Sequence, residues 1–200
     1  MARHILVTGG AGFIGSHLVD RLLHEGHRVV VIDNCSTGSP HNLAAARTNP
    51  RFEWIHSRVS QCPRLDTLVR EAEFVFHLAA AVGVDLVVQS PVGTIHNNLA
   101  ETEIVLRAAA EARTPLFFTS TSEVYGDPSV HPQPETYWGN VNTVGIRSCY
   151  DEGKRAAESI CADYVRFKKQ DVRLFRIFNT YGEYMHPDDG RVISNFCVAA

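Results

Sequence analysis

"HILVTGGAGFIGSHLVDRLLHEGHRVVVID", residues 4–33, reads as strand, glycine turn, helix and strand in succession. "HILVTG" (4–9) is a short apolar run closed by glycines, the pattern of a strand buried on both faces. In "FIGSHLVDRLLHEG" (13–26), Phe13, Ile14, His17, Leu18 and Leu22 recur at helical spacing and Gly26 is a stop signal. "RVVVID" (28–33) is a second buried strand. Gly9, Gly12 and Gly15 fall between the first strand and the first helix. Glycine there permits a tight turn, close approach of the backbone to a pyrophosphate and close helix–sheet packing, with the anion on the helix N-terminus.

The same alternation continues outward. "FEWIHSRV" (52–59) and "EFVFHLA" (73–79) read as strands separated by a short helix over "PRLDTLVREA". Residues 92–112 are helical, "PLFFTSTS" (115–122) is β-rich and ends in hydroxyls, and 126–147 is a loop rich in Pro, Gly and Asn. Helix 149–169 then leads to a last strand, "VRLFRIFN" (172–179). This βαβαβ order predicts an α/β fold: a doubly wound parallel sheet, the Rossmann fold, with helices on both faces and right-handed crossovers. Asp33 ends the second strand, where a carboxylate accepts hydrogen bonds from an adenosine ribose and repels a 2′-phosphate. The expected cofactor is therefore NAD rather than NADP, held by Gly9, Gly12, Phe13, Ile14, Gly15 and Asp33, with Asn34 assisting.

Composition narrows the classes of partner. With 200 residues, 44% hydrophobic and 20% charged, the chain can bury a core and is not disordered. A formal charge of −3 provides no basic field, so no nucleic-acid partner is expected. The five cysteines are widely spaced, without a CxxC pair or a His cluster at metal-ligand spacing, so reduced thiols and no metal are expected. Cys149 beside Tyr150 is read as a packing residue rather than a nucleophile. The chain enters a strand at once, and its most apolar run, 74–88, is interrupted by His77 and Asp85. No membrane partner and a cytoplasmic address are expected.

"GIRSCYDEGKRAAE" (145–158) puts Tyr150 one helical turn ahead of Lys154. Both side chains then share a face, where an ammonium can stabilise a phenolate and lower its pKa toward neutrality. By itself the spacing also describes a solvated surface stripe. Taken with the glycine cradle and "TSTSEVYG" (119–126), it makes the chain resemble the extended short-chain dehydrogenase/reductase family.

That resemblance implies that Thr121 hydrogen-bonds a substrate hydroxyl, that Tyr150 removes its proton, and that Lys154 lowers the tyrosine pKa and binds the nicotinamide ribose. By the same resemblance Leu78, Ala79, Ala80 and Asn98 lie beside the cofactor. Within the family, "TSTSEVYGDPSVHPQPETYWGNVN", "SCYDEGKRAAE" and "RIFNTYG…HPDDGRVISNF" are similar to the UDP-glucuronate decarboxylases, also called UDP-xylose synthases. The resemblance implies a carboxy-lyase: C4 of UDP-glucuronate is oxidised, carbon dioxide leaves through an enolate, and UDP-xylose or the UDP-4-keto-pentose forms. Glu123 and Ser122 would flank the substrate carboxylate and C5, and Asn179 and Arg191 would hold the nucleotide diphosphate. The alternatives are a UDP-sugar 4-epimerase or 4,6-dehydratase, and a catalytically silent NAD-binding subunit.

The sequence departs from the family pattern in places. Arg58 stands where an aspartate near the adenine is usual, and 79–91 is more like general sugar epimerases. Thr143 and Ile146 replace common prolines, and Glu183-Tyr184 replaces a Pro-Arg pair close to the expected substrate path. An NAD-binding domain is expected over 1–182, with 183–200 opening a small substrate lobe that is largely absent. A homodimer through helices near 92–112 and 149–169 is implied by resemblance.

Overall fold

Six segments rich in β-branched and aromatic residues become the strands β1 (His4–Thr8), β2 (Arg28–Ile32), β3 (Phe52–Ile55), β4 (Phe74–His77), β5 (Leu116–Thr121) and β6 (Val172–Ile177) of one sheet. The computed structural model describes residues 1–187 and 190–200, and for 84–86 the backbone alone. All five strand pairings are parallel, in the order β3-β2-β1-β4-β5-β6. The order reverses between β1 and β4, and their ends are level because Thr8 pairs with both Ile32 and His77. A crevice opens at such a reversal, beyond the carboxyl ends of the strands.

The connections carry α1 (Phe13–His24), α2 (Leu65–Glu71), α3 (Val84–Gln89), α4 (Pro91–Ala112) and α5 (Ser148–Lys168), with α6 (Val192–Ala199) after β6. Alternate strand residues divide the core. Ile5, Val7, Val29 and Val31 pack with Val19, Leu22 and Leu23 of α1. Leu6, Val30, Ile32, Val75, Leu116 and Phe118 pack on the other face with Leu68 of α2, Val105 and Leu106 of α4 and Ala157 of α5. Burial on both faces is why these strands are continuous apolar runs rather than alternating ones.

The structure departs from the sequence reading in several places. β3 stops at Ile55, and the chain turns through Arg58 into a single 3₁₀ turn at Val59–Gln61, so the 52–59 strand is shorter than expected. β4 likewise ends at His77. The stretch 79–91 holds an extra helix, α3, set off by Gly83 at φ +105 and separated from α4 by Pro91, which fits the first turn of the next helix. On the α1 face, the ring row Phe74–Phe76–Phe117–Phe175 runs toward β6, where Phe175 is 52% exposed. Positions 188 and 189 of the "HPDDGRV" stretch lie outside the described residues.

Candidate active site

The glycine turn is fixed by contacts that leave no room for a side chain. Gly9 has φ +76, and a Cβ on it would lie 2.6 Å from the Ala79 nitrogen and 2.7 Å from the Leu78 carbonyl carbon. A Cβ on Gly15 would run into the Gly9 carbonyl oxygen. Gly12 caps α1 without a side-chain hydrogen bond, so the first-turn amides around Phe13, Ile14 and Gly15 face an open cavity as an anion site. Asp33 Oδ2 accepts from the Ala11 N–H at 2.8 Å and Oδ1 from the Cys35 N–H at 2.7 Å. A carboxylate has about four lone-pair positions, so ribose hydroxyls retain acceptors there. The Ala11 carbonyl is held in turn by the Ser39 N–H (3.0 Å) and Asn42 Nδ2 (2.9 Å).

A buried polar column supports the floor. Thr8 Oγ1 and His77 Nδ1 share a hydrogen bond at 2.7 Å, His77 Nε2 lies 3.3 Å from Thr102 Oγ1, and Thr102 donates to the Asn98 carbonyl at 2.7 Å. Burial, then the nearby Lys154 charge, pushes His77 down to about 3, so it stays neutral. Asn98 Oδ1 accepts from the Ala81 N–H at 2.6 Å and its Nδ2 donates to the Ala81 carbonyl at 3.2 Å. Asn98 thus pins the loop beyond β4, with Leu78, Ala79 and Ala80 forming the adjoining wall.

β5 and α5 deliver the hydroxyl, tyrosine and lysine. Thr121 ends β5, and its Oγ1 caps the following turn by accepting from the Glu123 N–H at 3.2 Å. Tyr150, in the first turn of α5, lies beside Thr121. Lys154, one turn on, is buried and donates to the Thr119 carbonyl at 2.9 Å, with its Nζ 4.9 Å from the centre of the Phe118 ring. Burial lowers Lys154 to about 8. Tyr150 goes the other way from the expected shift: burial first and the Glu123 charge next push it up to about 12, against the lowering effects of Thr121 and Arg147. In the chain by itself desolvation outweighs the helical-turn argument, because the Lys154 ammonium is directed at a main-chain carbonyl rather than at the phenol.

One cavity of about 410 Å³ gathers the expected residues. Gly9, Gly12, Phe13, Ile14, Gly15, Asp33 and Asn34 line it at the cradle, Leu78, Ala79, Ala80 and Asn98 along the wall, and Thr121, Ser122, Glu123, Tyr150 and Lys154 at the β5–α5 end. Asn179 and Arg191 also line it, and Arg58 reaches it on the Asp33 side. Glu183 and Tyr184 are not among the residues lining this cavity: the Glu183 carbonyl meets His17 Nε2 at 3.0 Å and the Tyr184 ring lies 5.3 Å from that of His17, on α1. Cys149 is half-buried, with Sγ 3.9 Å from the Val87 carbonyl, as a packing residue.

Two residues of the site escaped the sequence reading. Arg147 Nη2 donates to both oxygens of Glu123, at 3.1 and 2.9 Å, and Asp151 lies near Glu123. Burial, then the neighbouring Glu123 carboxyl and its charge, pushes Asp151 up to about 7. Arg147 is the N-cap residue of α5, outside the helix, so its spacing from Tyr150 carried no signal. Among the described residues no group of three His, Cys, Asp or Glu side chains is placed to hold a metal ion, and no helix is long and apolar enough to cross a membrane.

A glycine-cradled crevice with Thr, Tyr and Lys at its far end defines a dinucleotide-dependent class, and the chain belongs to the NAD dependent epimerase/dehydratase family, whose profile matches residues 5–200. It is 50% identical over 197 residues to UDP-glucuronic acid decarboxylase 3 of Arabidopsis thaliana, covering 98% of this chain and 56% of that protein. To UDP-glucuronic acid decarboxylase 1 of Danio rerio it is 45% identical over 198 residues, covering 99% and 46%. The chain thus spans about half the length of these curated relatives. Among solved structures it is similar to a UDP-N-acetylglucosamine 4-epimerase from Methanobrevibacter ruminantium M1 in complex with UDP-N-acetylmuramic acid (TM-score 0.89, 28% identity, 98% of this chain and 61% of that one). It is also similar to the dTDP-glucose 4,6-dehydratase DesIV of Streptomyces venezuelae with NAD bound (TM-score 0.86, 31% identity, 96% and 60%).

Proposed function

We propose that the protein containing this chain is an NAD-dependent nucleotide-sugar decarboxylase acting on UDP-glucuronate. The observation that carries this reading is the convergence of Thr121, Glu123, Tyr150 and Lys154 on the cavity that the glycine cradle opens into. The family's NAD dependence and the decarboxylase relatives support the cofactor and the substrate.

The cradle fits the dinucleotide, because bare first-turn amides suit a pyrophosphate and the Asp33 carboxylate suits ribose hydroxyls. When bound there, NAD would supply reversible hydride exchange at C4, and its charged oxidised form would favour ionisation of Tyr150. Tyr150 removes the C4 hydroxyl proton, with Thr121 orienting that hydroxyl. The C4 ketone is β to the C5 carboxylate, so the electrons of the breaking C5–C6 bond enter an enolate. Thr121 and the re-formed Tyr150 hydroxyl donate to the enolate oxygen, each contact being worth on the order of 3 kcal/mol. Lys154, fixed by the Thr119 carbonyl, would bind the nicotinamide ribose. Asn179 and Arg191 hold the diphosphate, and Ser122 and Glu123 flank the sugar carboxylate.

Replacing Tyr150 by Phe tests the assignment. NADH formation from UDP-glucuronate is expected to disappear while NAD binding, followed by calorimetry, stays within about twofold; retained turnover would contradict it. The second reading, a 4-epimerase or 4,6-dehydratase, is favoured by the solved structures of that kind and shares the first oxidation. The two part at the carboxylate, which decarboxylation releases and epimerisation keeps. A silent subunit is disfavoured by the intact Thr121, Tyr150 and Lys154 set. The same reading pairs two copies through α4 and α5, supported by exposed Val92, Val165 and Phe167 on these helices, and places the protein in the cytoplasm, supported by five free cysteines.

A further inference from the structure

Along α5, Tyr150, Lys154 and Glu158 follow one another at four-residue spacing, so their side chains share the face turned to β5. On an open helix surface a lysine and a glutamate at this spacing pair with each other. Here each is turned elsewhere. Lys154 Nζ donates to the Thr119 carbonyl at 2.9 Å and lies 4.9 Å from the centre of the Phe118 ring. Glu158 Oε1 accepts from Ser120 Oγ at 2.5 Å and from Arg176 Nε at 2.9 Å, and Oε2 accepts from Arg176 Nη2 at 2.7 Å. Ser120 and Arg176 are register partners across β5 and β6, so they stand side by side on one face of the sheet. Arg176 Nη1 donates in turn to the Tyr125 hydroxyl at 2.8 Å and to the Glu135 carbonyl at 3.2 Å, which fixes the guanidinium from three sides. The Glu158–Arg176 pair is largely buried. Such a pair adds little net stability over apolar side chains, so its effect here is to select one arrangement of charges over another. Glu158 raises the pKa of Lys154 across one helical turn, against the larger lowering effect of burial. The other titratable groups facing Lys154, His77 of β4 and Cys161 of α5, are held neutral by burial.

We propose that Arg176 is a positioning residue that holds Glu158 out of an ion pair with Lys154, so that the ammonium stays on the Thr119 carbonyl and open to the cofactor cavity. This rests on the reading of Lys154 as the ligand of the nicotinamide ribose and on no step of the sugar chemistry. The Thr119 carbonyl and the Ser120 N–H belong to one peptide unit. By holding the Ser120 hydroxyl, Glu158 therefore steadies the carbonyl that Lys154 uses. Without Arg176, the cation left within reach of the Glu158 carboxylate is the ammonium one turn back, and Lys154 is drawn away from both the carbonyl and the cavity.

NMR of the cofactor-free protein carrying carbon-13 at lysine Cε tests this, with Lys154→Met identifying the signal. In the unsubstituted protein the Lys154 signal is expected upfield, because the Phe118 ring lies beneath the ammonium, and titrating at about 8. In Arg176→Met the upfield shift should disappear and the titration move up by about one pH unit or more. NAD binding, followed by calorimetry, should weaken about fivefold or more. Adding Glu158→Gln removes the competing charge and leaves an amide oxygen for Ser120, so the double variant should regain the shift, the titration and the affinity to within about twofold. If Arg176→Met does not fold, Arg176→Lys, which meets one carboxylate oxygen but not both, should give the same changes in smaller measure. A purely structural ion pair predicts a lower Tm with the Lys154 signal in place. A Lys154 signal unmoved in the Arg176 variant, or not brought back by Glu158→Gln, overturns the proposal. If Lys154→Met leaves NAD affinity unchanged, the ribose reading falls, and the NMR signal decides the role of Arg176 on its own.

Discussion

At the scale of single residues, the site combines a lysine whose ammonium burial makes easier to deprotonate with a tyrosine whose phenol burial makes harder to ionise. Lys154 has a folded-state pKa of about 8 against an ordinary 10.5, so between those values the unfolded chain binds its proton more tightly. Stability therefore rises with pH through that window, and the full cost of the buried ammonium is present below about pH 8. Lys154→Met is expected to abolish turnover yet stabilise the fold at pH 7 by on the order of 1 kcal/mol, a few degrees in Tm, with the gain shrinking from about pH 8 upward and mostly gone by about pH 10. Thermal unfolding of both proteins at the two pH values checks this; a lower Tm for the variant at pH 7 would contradict it. Tyr150 and Lys154 were legible because their spacing is local. Arg147 and Asp151 were not, because nothing in the chain says that the 142–147 loop brings Arg147 to Glu123, twenty-four positions away.

At the scale of elements, the site depends on how closely α1 meets the ends of β1 and β4. Gly15→Ala places a methyl group against the Gly9 carbonyl and forces α1 off the sheet end. Overpacking of that kind costs roughly 1–3 kcal/mol, and the displaced first turn should weaken NAD binding by more than about tenfold. Calorimetric titration with NAD and urea unfolding measure the two effects, and an unchanged dissociation constant would remove the cradle from the account. The cradle was readable because glycine identity and strand–helix periodicity lie in one stretch of thirty residues. Helix α3 was not, since a short, mostly apolar run between Gly83 and Pro91 fits a strand end or a helix equally well. The Thr8–His77–Thr102–Asn98 column escaped for a different reason: its members come from β1, β4 and α4, and only the sheet order brings them together.

At the scale of the molecule, α4 and α5 pack side by side along one face, while the aromatic row on the opposite face ends in a half-exposed Phe175. Pairing of copies through α4 and α5 predicts a dimer by sedimentation equilibrium, with Val165→Glu and Phe167→Glu together shifting it to monomer; a monomer throughout the micromolar range would contradict the pairing. The central claim is that oxidation at C4 makes the sugar carboxylate leave. UDP-glucuronate carrying carbon-13 at C6, incubated with the protein and NAD, tests it most directly. The label is expected in carbon dioxide, with a pentose nucleotide left behind; label retained in a UDP-hexuronate inverted at C4 would contradict the account.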